Sequence, residues 1–403
     1  MKNVFFLLLI ALQFFGCSVT GRVSIDKDEF DNLNSPAIHY GNPENVGINP
    51  DSLAGVDNII QKAIADSAFP GAVLLVVKDG VIVHEKAYGR FTYDSSATSM
   101  TVDAIFDLAS VTKVIATTSA IMRLVDEKKI SLNNPIVKYI PQFGQNGKEK
   151  ITVYNLMVHN SGLPAWKKFY EVCDSPQSLL DSLFASSLVY KTGDSTIYSD
   201  LGFITLGKLI EKVTNTSLDK YVDSVFFAPL GMKNTMYNPP KELLRKVVPT
   251  EVDSFWKKTY LPVQGRVHDE NAATLGGVSG HAGLFSTAHD LAIFLQMELN
   301  GGVYGGKRYF QEETIKKFTE RQFVNSSRAI GWDTKSTDRS ISGKFASEKT
   351  YLHTGFTGTS VVVDPVKKTI VILLTNRVYP TRNNSKIAHV RPLVHDTVFG
   401  AIK

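Results

Sequence analysis

A serine hydroxyl becomes an effective nucleophile only when a base stands within hydrogen-bond reach. Ser110-Val111-Thr112-Lys113 supplies that pairing by spacing, because residues three apart share one face of a helix. A helix opening at Ser110 also brings its first N–H groups and its positive dipole end close to the reacting oxygen. The chemistry this points to is acyl transfer, with Ser110 as nucleophile and Lys113 as the group beside its proton. Spacing alone is a weak signal, since Ser24–Lys27, Ser217–Lys220 and Ser254–Lys257 repeat it.

Such a hydrolase needs more than two residues. It needs a second proton-transfer group, two N–H donors for an oxyanion, and a wall that orients the substrate. Tyr198-Ser199-Asp200 and His353-Thr354-Gly355 follow Ser110 in the order of a Ser-x-x-Lys, Tyr-x-Asn, Lys/His-Thr-Gly signature. Lys191-Thr192-Gly193 matches the third motif literally, but it lies five residues before Tyr198 and precedes no long β run, so it reads as a turn. His268, Asp269 and His281 have irregular spacing for metal ligands. They read as a hydrogen-bonded loop shaping the substrate pocket, with His281 counted among its substrate-binding positions. No metal and no cofactor is expected.

The elements that must position these residues are legible as changes of period. Leu53, Val56, Ile59, Ile60 and Ala63 recur at helical spacing and stop before Pro70-Gly71. Ala72–Val77 and Val81–Val83 flank Lys78-Asp79-Gly80 as a hairpin. The Ser110 segment runs into a helical pattern through Ala120, Ile121, Leu124 and Val125. Residues from about 130 to 270 read as helix and loop, including a short helix before Ser161-Gly162 and a longer one from Leu201. Glycines crowd the stretch Gly276 to Gly283, which rejects regular structure and suggests backbone held close to a ligand or another segment. Ala288–Leu299 is helical again, Thr359–Val363 and Thr369–Leu374 read as strands, and a last helix covers about 386–400. Strands therefore cluster at both ends. The expected fold is α/β (α+β): one antiparallel sheet flanked by the terminal helices, with a mostly helical region of about 115–290 inserted.

The chain has 403 residues, 43% of them apolar and 21% charged, with a net charge of +5. That is ordinary globular composition with length for a large core. The absence of a dense Lys/Arg run leaves nucleic-acid binding without support. Met1-Lys2-Asn3 precedes an apolar run from Val4 to Phe15, short of the ~20 residues a spanning helix needs. It fits a secretory signal, and Gly16-Cys17-Ser18 at its end fits lipidation of Cys17. The expected division is a signal over 1–17, a tether over 18–45 and the hydrolase domain over 46–403, in an exported lipoprotein anchored to a membrane by its N-terminal lipid. Cys173 is then the remaining cysteine, and no intramolecular disulfide is expected.

Together with Phe106-Asp107-Leu108-Ala109-Ser110, His159-Asn160-Ser161-Gly162-Leu163-Pro164 and Gly283-Leu284-Phe285-Ser286-Thr287, the three motifs resemble the serine hydrolases that include class C β-lactamases, low-molecular-mass penicillin-binding proteins and related esterases. The resemblance covers roughly residues 50–400 and implies a β-lactamase/transpeptidase-like fold. It implies that Ser110 attacks a carbonyl carbon, that Lys113 and Tyr198 share the general-base and general-acid work, and that the backbone N–H groups of Ser110 and Phe356 form the oxyanion hole. It places His353, Thr354 and Gly355 on the wall facing the substrate. Asp200 stands where asparagine is usual, among the implied substrate-binding positions, and a carboxylate there favours the charged form of Lys113, shifting proton transfer toward Tyr198. His353 replaces the common lysine and weakens the fixed charge for a substrate carboxylate, which Arg377 or Arg382 can supply. The stretch 265–285 with Asn376–Arg382 further resembles a subgroup of cell-wall peptide hydrolases. The implied activity is cleavage of an amide in peptidoglycan fragments, of D-Ala carboxypeptidase or muramyl-peptide amidase type, with β-lactams as acylating ligands. Hydrolysis of β-lactams or small esters is the first alternative, and a non-catalytic penicillin or peptide sensor is the second.

Overall fold

In the computed structural model, which describes residues 37–403, the hairpin Gly71–Lys78 and Val81–Gly89 supplies two strands of a seven-stranded sheet. The order across it is His39–Tyr40, Val81–Gly89, Gly71–Lys78, Thr369–Thr375, Ser360–Asp364, Tyr351–Thr354, Asp333–Thr334. All neighbours are antiparallel except His39–Tyr40, which runs parallel to Val81–Gly89. The two ends of the chain thus meet at the centre of the sheet, where Gly71–Lys78 pairs with Thr369–Thr375 over seven residue pairs.

The side-chain period of two splits these central strands between two cores. Val73, Leu75 and Val77, with Ile370, Ile372 and Leu374, face the helical region. Ala72, Leu74 and Val76, with Val371 and Leu373, face the first and last helices. Those helices, Pro50–Ala65 and Ile387–Gly400, pack on each other and cover that face. Pro50 pre-sets the start of the first helix, and the Asn49 side chain caps it by accepting from the Ser52 N–H.

Two differences from the sequence reading follow from pairings beyond its reach. His39–Tyr40, inside the stretch read as tether, adds a strand to the sheet edge, and Asn49 N–H donates to Ala401 O. The folded unit therefore begins before residue 46. Cys17, the signal over 1–17 and most of the tether lie outside the described residues. A small second sheet of Phe106–Asp107, Leu284–Ser286 and Met236–Tyr237 also forms. Its strands of two or three residues leave no periodicity to detect.

Candidate active site

The nucleophile segment leaves the small sheet at Asp107. Ala109 takes a left-handed backbone, φ 46°, a conformation an L-residue holds only when its surroundings over-determine it. Here the buried Asp107 carboxylate does so, accepting from the Ala109 N–H at 2.8 Å and from the His268 N–H at 2.7 Å. Burial raises the Asp107 pKa, and these two N–H groups oppose the rise. The expected regular helix from Ser110 is not what forms. Ala109–Val111 is a 3-10 turn, Lys113–Thr118 a wider π turn, and the α-helix proper is Ser119–Asp126. Hydroxyls redirect the ladder: Ser119 Oγ donates to Val114 O, and Thr117 Oγ1 donates across to Gly280 O.

The Lys113 ammonium nevertheless reaches the Ser110 hydroxyl at 3.1 Å. It is fully buried, ion-paired to Asp200 at 2.7 Å and donating to His281 O at 2.9 Å. Burial pushes its pKa down, but Asp200 and then Tyr198 outweigh that and the net shift is upward. The Tyr198 ring stands 4.9 Å from the Lys113 ammonium, and burial holds its phenol protonated above the usual range against the pull of Lys113. His159 packs on the Tyr198 ring at 4.6 Å, and its Nδ1 accepts from the Ser199 N–H. It therefore steadies the second motif. The Lys191-Thr192-Gly193 sequence is a turn bonded to Ser161 O and Asn160 O.

His353 and Thr354 end the strand Tyr351–Thr354, and Gly355 begins its turn into Ser360–Asp364. That turn is bolted to the nucleophile segment: Thr357 Oγ1 donates to Asp107 O at 2.7 Å and Thr359 Oγ1 to Leu108 O at 2.9 Å. A Cβ on Gly355 would overlap the Thr359 hydroxyl and the Leu108 carbonyl oxygen, so only glycine permits the approach. The N–H groups of Ser110 and Phe356 make no hydrogen bond within the described residues. His353 is buried, its Nδ1 bonded to Thr354 O at 3.0 Å. Burial, then Lys113 and Arg328, push its pKa well below the ordinary value, so it is neutral at pH 7 and presents Nε2 as an acceptor.

Three sequence expectations about substrate contacts need correction. His281 does not face the pocket: its Nε2 meets Asp269 at 2.8 Å, its Nδ1 meets Ser279 Oγ at 2.8 Å, and it supports Lys113 through its carbonyl. Arg382 is spent on Glu251 and Glu270, each at 2.6 Å, so it braces the loop. Asp200 is bound to Lys113 and is not part of the pocket wall. Ligand atoms of Asp200, Asp269 and His281 lie within 4.8 Å of one another. Asp200 is paired with the Lys113 ammonium, and Asp269 with the His281 ring.

Ser110, Tyr198, His353, Thr354, Gly355 and Phe356 line one cavity of about 450 Å³. Arg377 lines it as well, giving three of its donor bonds to Phe356 O, Arg382 O and Asn384 O. Two wall residues, Arg328 and Arg391, were not foreseen. Arg328 lies over the Tyr198 ring at 5.3 Å. Arg391 donates to Gly355 O and Thr359 O, while its Nε has no partner. Burial, then Arg377, lower its pKa to about 9. The signal for Arg391 was present: it is an arginine on the apolar face of Ile387, Val390, Val394 and Val398. Arg328 sits in a loop and leaves no such sign.

A serine and a tyrosine at the floor of a cavity, with a buried lysine beside them, on a two-core α/β scaffold define a serine hydrolase. The chain belongs to the beta-lactamase family, whose model matches residues 56–395. It is 34% identical over 387 residues to a protein of Salmonella agona (strain SL483) named "Putative D-alanyl-D-alanine carboxypeptidase", covering 87% of this chain and 89% of that one. Two solved structures share the fold. A penicillin-binding protein homolog from Caulobacter crescentus has a TM-score of 0.70 at 18% identity, over 88% of this chain and 99% of that one. A class C beta lactamase from Rhodobacter sphaeroides has a TM-score of 0.68 at 19% identity, over 87% and 100%.

Proposed function

We propose that the protein is a carboxypeptidase of cell-wall peptides, removing a C-terminal D-alanine through an acyl-Ser110 intermediate. The observation that carries this reading is the wall of the pocket on Ser110, where Arg328, Arg377 and Arg391 face a single acidic residue, Asp333. A peptide ending in a free carboxylate complements such a wall. Of the two cell-wall bonds the motifs suggest, the terminal D-alanyl amide is the one beside a carboxylate, and the name of the Salmonella agona relative agrees with it.

Ser110 Oγ attacks the amide carbonyl while the Tyr198 phenol passes its own proton to the amide nitrogen and takes up the Ser110 proton in its place, so that neither Tyr198 nor Lys113 gains a net proton. Because Asp200 keeps Lys113 charged, Tyr198 is the group that exchanges the proton, and the ammonium stabilises the negative charge passing through the phenol. The N–H groups of Ser110 and Phe356 receive the carbonyl oxygen as it becomes an oxyanion, contributing about 3 kcal/mol each. The C–N bond breaks as the protonated nitrogen leaves with D-alanine, and water then attacks the acyl-Ser110 carbonyl, its proton passing through Tyr198 back to Ser110 Oγ. The test compares a peptide ending in D-Ala-D-Ala with its C-terminal amide. Cleavage of the acid form at least tenfold more efficiently, lost in Ser110→Ala, is expected; equal rates on acid and amide would sink the reading.

We also propose export and lipid anchoring at Cys17. The supporting features are the run Val4–Phe15 and Gly16-Cys17; among the described residues no helix is long and apolar enough to cross a membrane. Labelled palmitate should enter the wild-type protein in a bacterial host and not Cys17→Ala, and membrane association should be lost with it. Labelling of both proteins, or of neither, would refute the anchor.

A further inference from the structure

A second cavity, of about 770 Å³, opens at the opposite end of the strand Tyr351–Thr354 from His353-Thr354. Glu298, near the end of the helix Ala288–Leu299, is one of its lining residues and is only 2% exposed. Both of its carboxyl oxygens are out of solvent and without a hydrogen-bond partner. An ionisable group so placed is costly for the fold unless something else pairs with it. The Ser110 chemistry has no use for it.

We propose that this cavity is a binding site for a primary ammonium carried on an aliphatic body, with the Glu298 carboxylate as its counter-ion. The other charges that face the cavity are engaged in other contacts or lie at the start or end of an element. Lys316 pairs with Glu312 at 2.6 Å, Arg321 donates to Thr334 Oγ1 and to Lys335 O, and Glu348 pairs with Lys335 at 2.9 Å. Glu320 follows the helix Glu312–Thr319, and Lys349 precedes the strand Tyr351–Thr354. The Tyr351 ring, held edge-on by Trp332 at 4.9 Å, adds an aromatic wall suited to a cation. Leu299, Ile315 and Val366 supply apolar surface for an alkyl chain. A lone carboxylate is a poor metal site, since divalent cations need several ligands, whereas an ammonium needs one counter-charge and a shaped apolar pocket. Burial raises the Glu298 pKa to about 8, so a bound ammonium must displace a proton and binding strengthens with pH.

The experiment is calorimetric titration of the full chain with n-hexylammonium chloride, with hexanol and sodium hexanoate as controls. Hexylammonium should bind at least tenfold more tightly than either control, with affinity rising about fiftyfold from pH 6 to pH 8. Glu298→Gln, an isosteric change, should weaken binding at least tenfold and remove the pH dependence. Val366→Trp, at an exposed position beside the cavity, should block entry whether or not the Glu298 variant folds. Binding unaffected by these substitutions, equal binding of hexanol, or no binding of hexylammonium would overturn the site. Cleavage by Ser110 is measured separately, so this outcome is independent of the proposed activity.

Discussion

Asp200 changes what Lys113 can do. An uncharged lysine is the simplest base for a serine, yet the buried ion pair at 2.7 Å holds Lys113 in its ammonium form. Replacing Asp200 by asparagine removes the largest influence that raises the Lys113 pKa, so that pKa falls. If catalysis requires the ammonium, the basic limb of kcat/KM moves to lower pH in Asp200→Asn; a pH–rate profile measures this, and an unmoved basic limb contradicts the role given to Lys113. Asp107 is the second decisive residue, through position and not contact with substrate. Asp107→Asn leaves one of its two N–H partners without an acceptor. It should lower kcat about tenfold to a hundredfold with little change in KM, because the Ser110 turn loosens while the pocket wall stays. A change confined to KM would count against that account.

At the scale of elements, the site depends on two chain segments held in contact. The turn after Thr354 is joined to the nucleophile segment by the Thr357 and Thr359 hydroxyls, with Gly355 at the closest approach. Gly355→Ala should separate the two, costing about 1–3 kcal/mol of stability and at least a hundredfold in kcat. A melting curve with steady-state kinetics checks both. The loop around Arg382 is a brace of another kind. Burial tends to raise the Glu251 pKa, but His268 and Arg382 outweigh it and hold it at about 2, below its ordinary 4.5. A carboxylate depressed on folding stabilises the fold above its unfolded pKa, and that stability is lost as pH falls through the folded value. The Tm of the wild type should thus fall between pH 4.5 and pH 2. In Glu251→Gln the Tm at pH 7 should already be lower, and its fall over the same acid range shallower.

At the scale of the molecule, the first and last described segments close the structure on itself. Lys403 N–H donates to Gly47 O, Ile48 bridges Ile402, and the first and last helices share one core with the central strands. Leu373 is fully buried in that core. Leu373→Ala should cost about 2–5 kcal/mol, read as a drop in Tm, with the activity of the folded fraction intact because Leu373 does not line the Ser110 cavity. An equal loss of kcat in fully folded protein would show that the two cores are coupled.

Periodicity and motif order in the sequence determined the sheet of chain-terminal strands, the covering helices and the trio Ser110, Lys113 and Tyr198 with His353-Thr354-Gly355. These are local patterns: a period of two or 3.6, or a short spacing, is written in neighbouring residues. Tertiary structure decided what depends on contacts between distant residues. It placed Arg382 on Glu251 and Glu270 and away from a substrate, turned the His281 ring toward Asp269, and brought Arg391 from the last helix and Arg328 from a loop to the pocket wall. It also replaced the expected helix at Ser110 with a strained turn held by Asp107. A charged side chain has several partners within reach in sequence terms. Which one it takes is settled by burial, because a charge removed from water must pair with whatever the fold brings beside it.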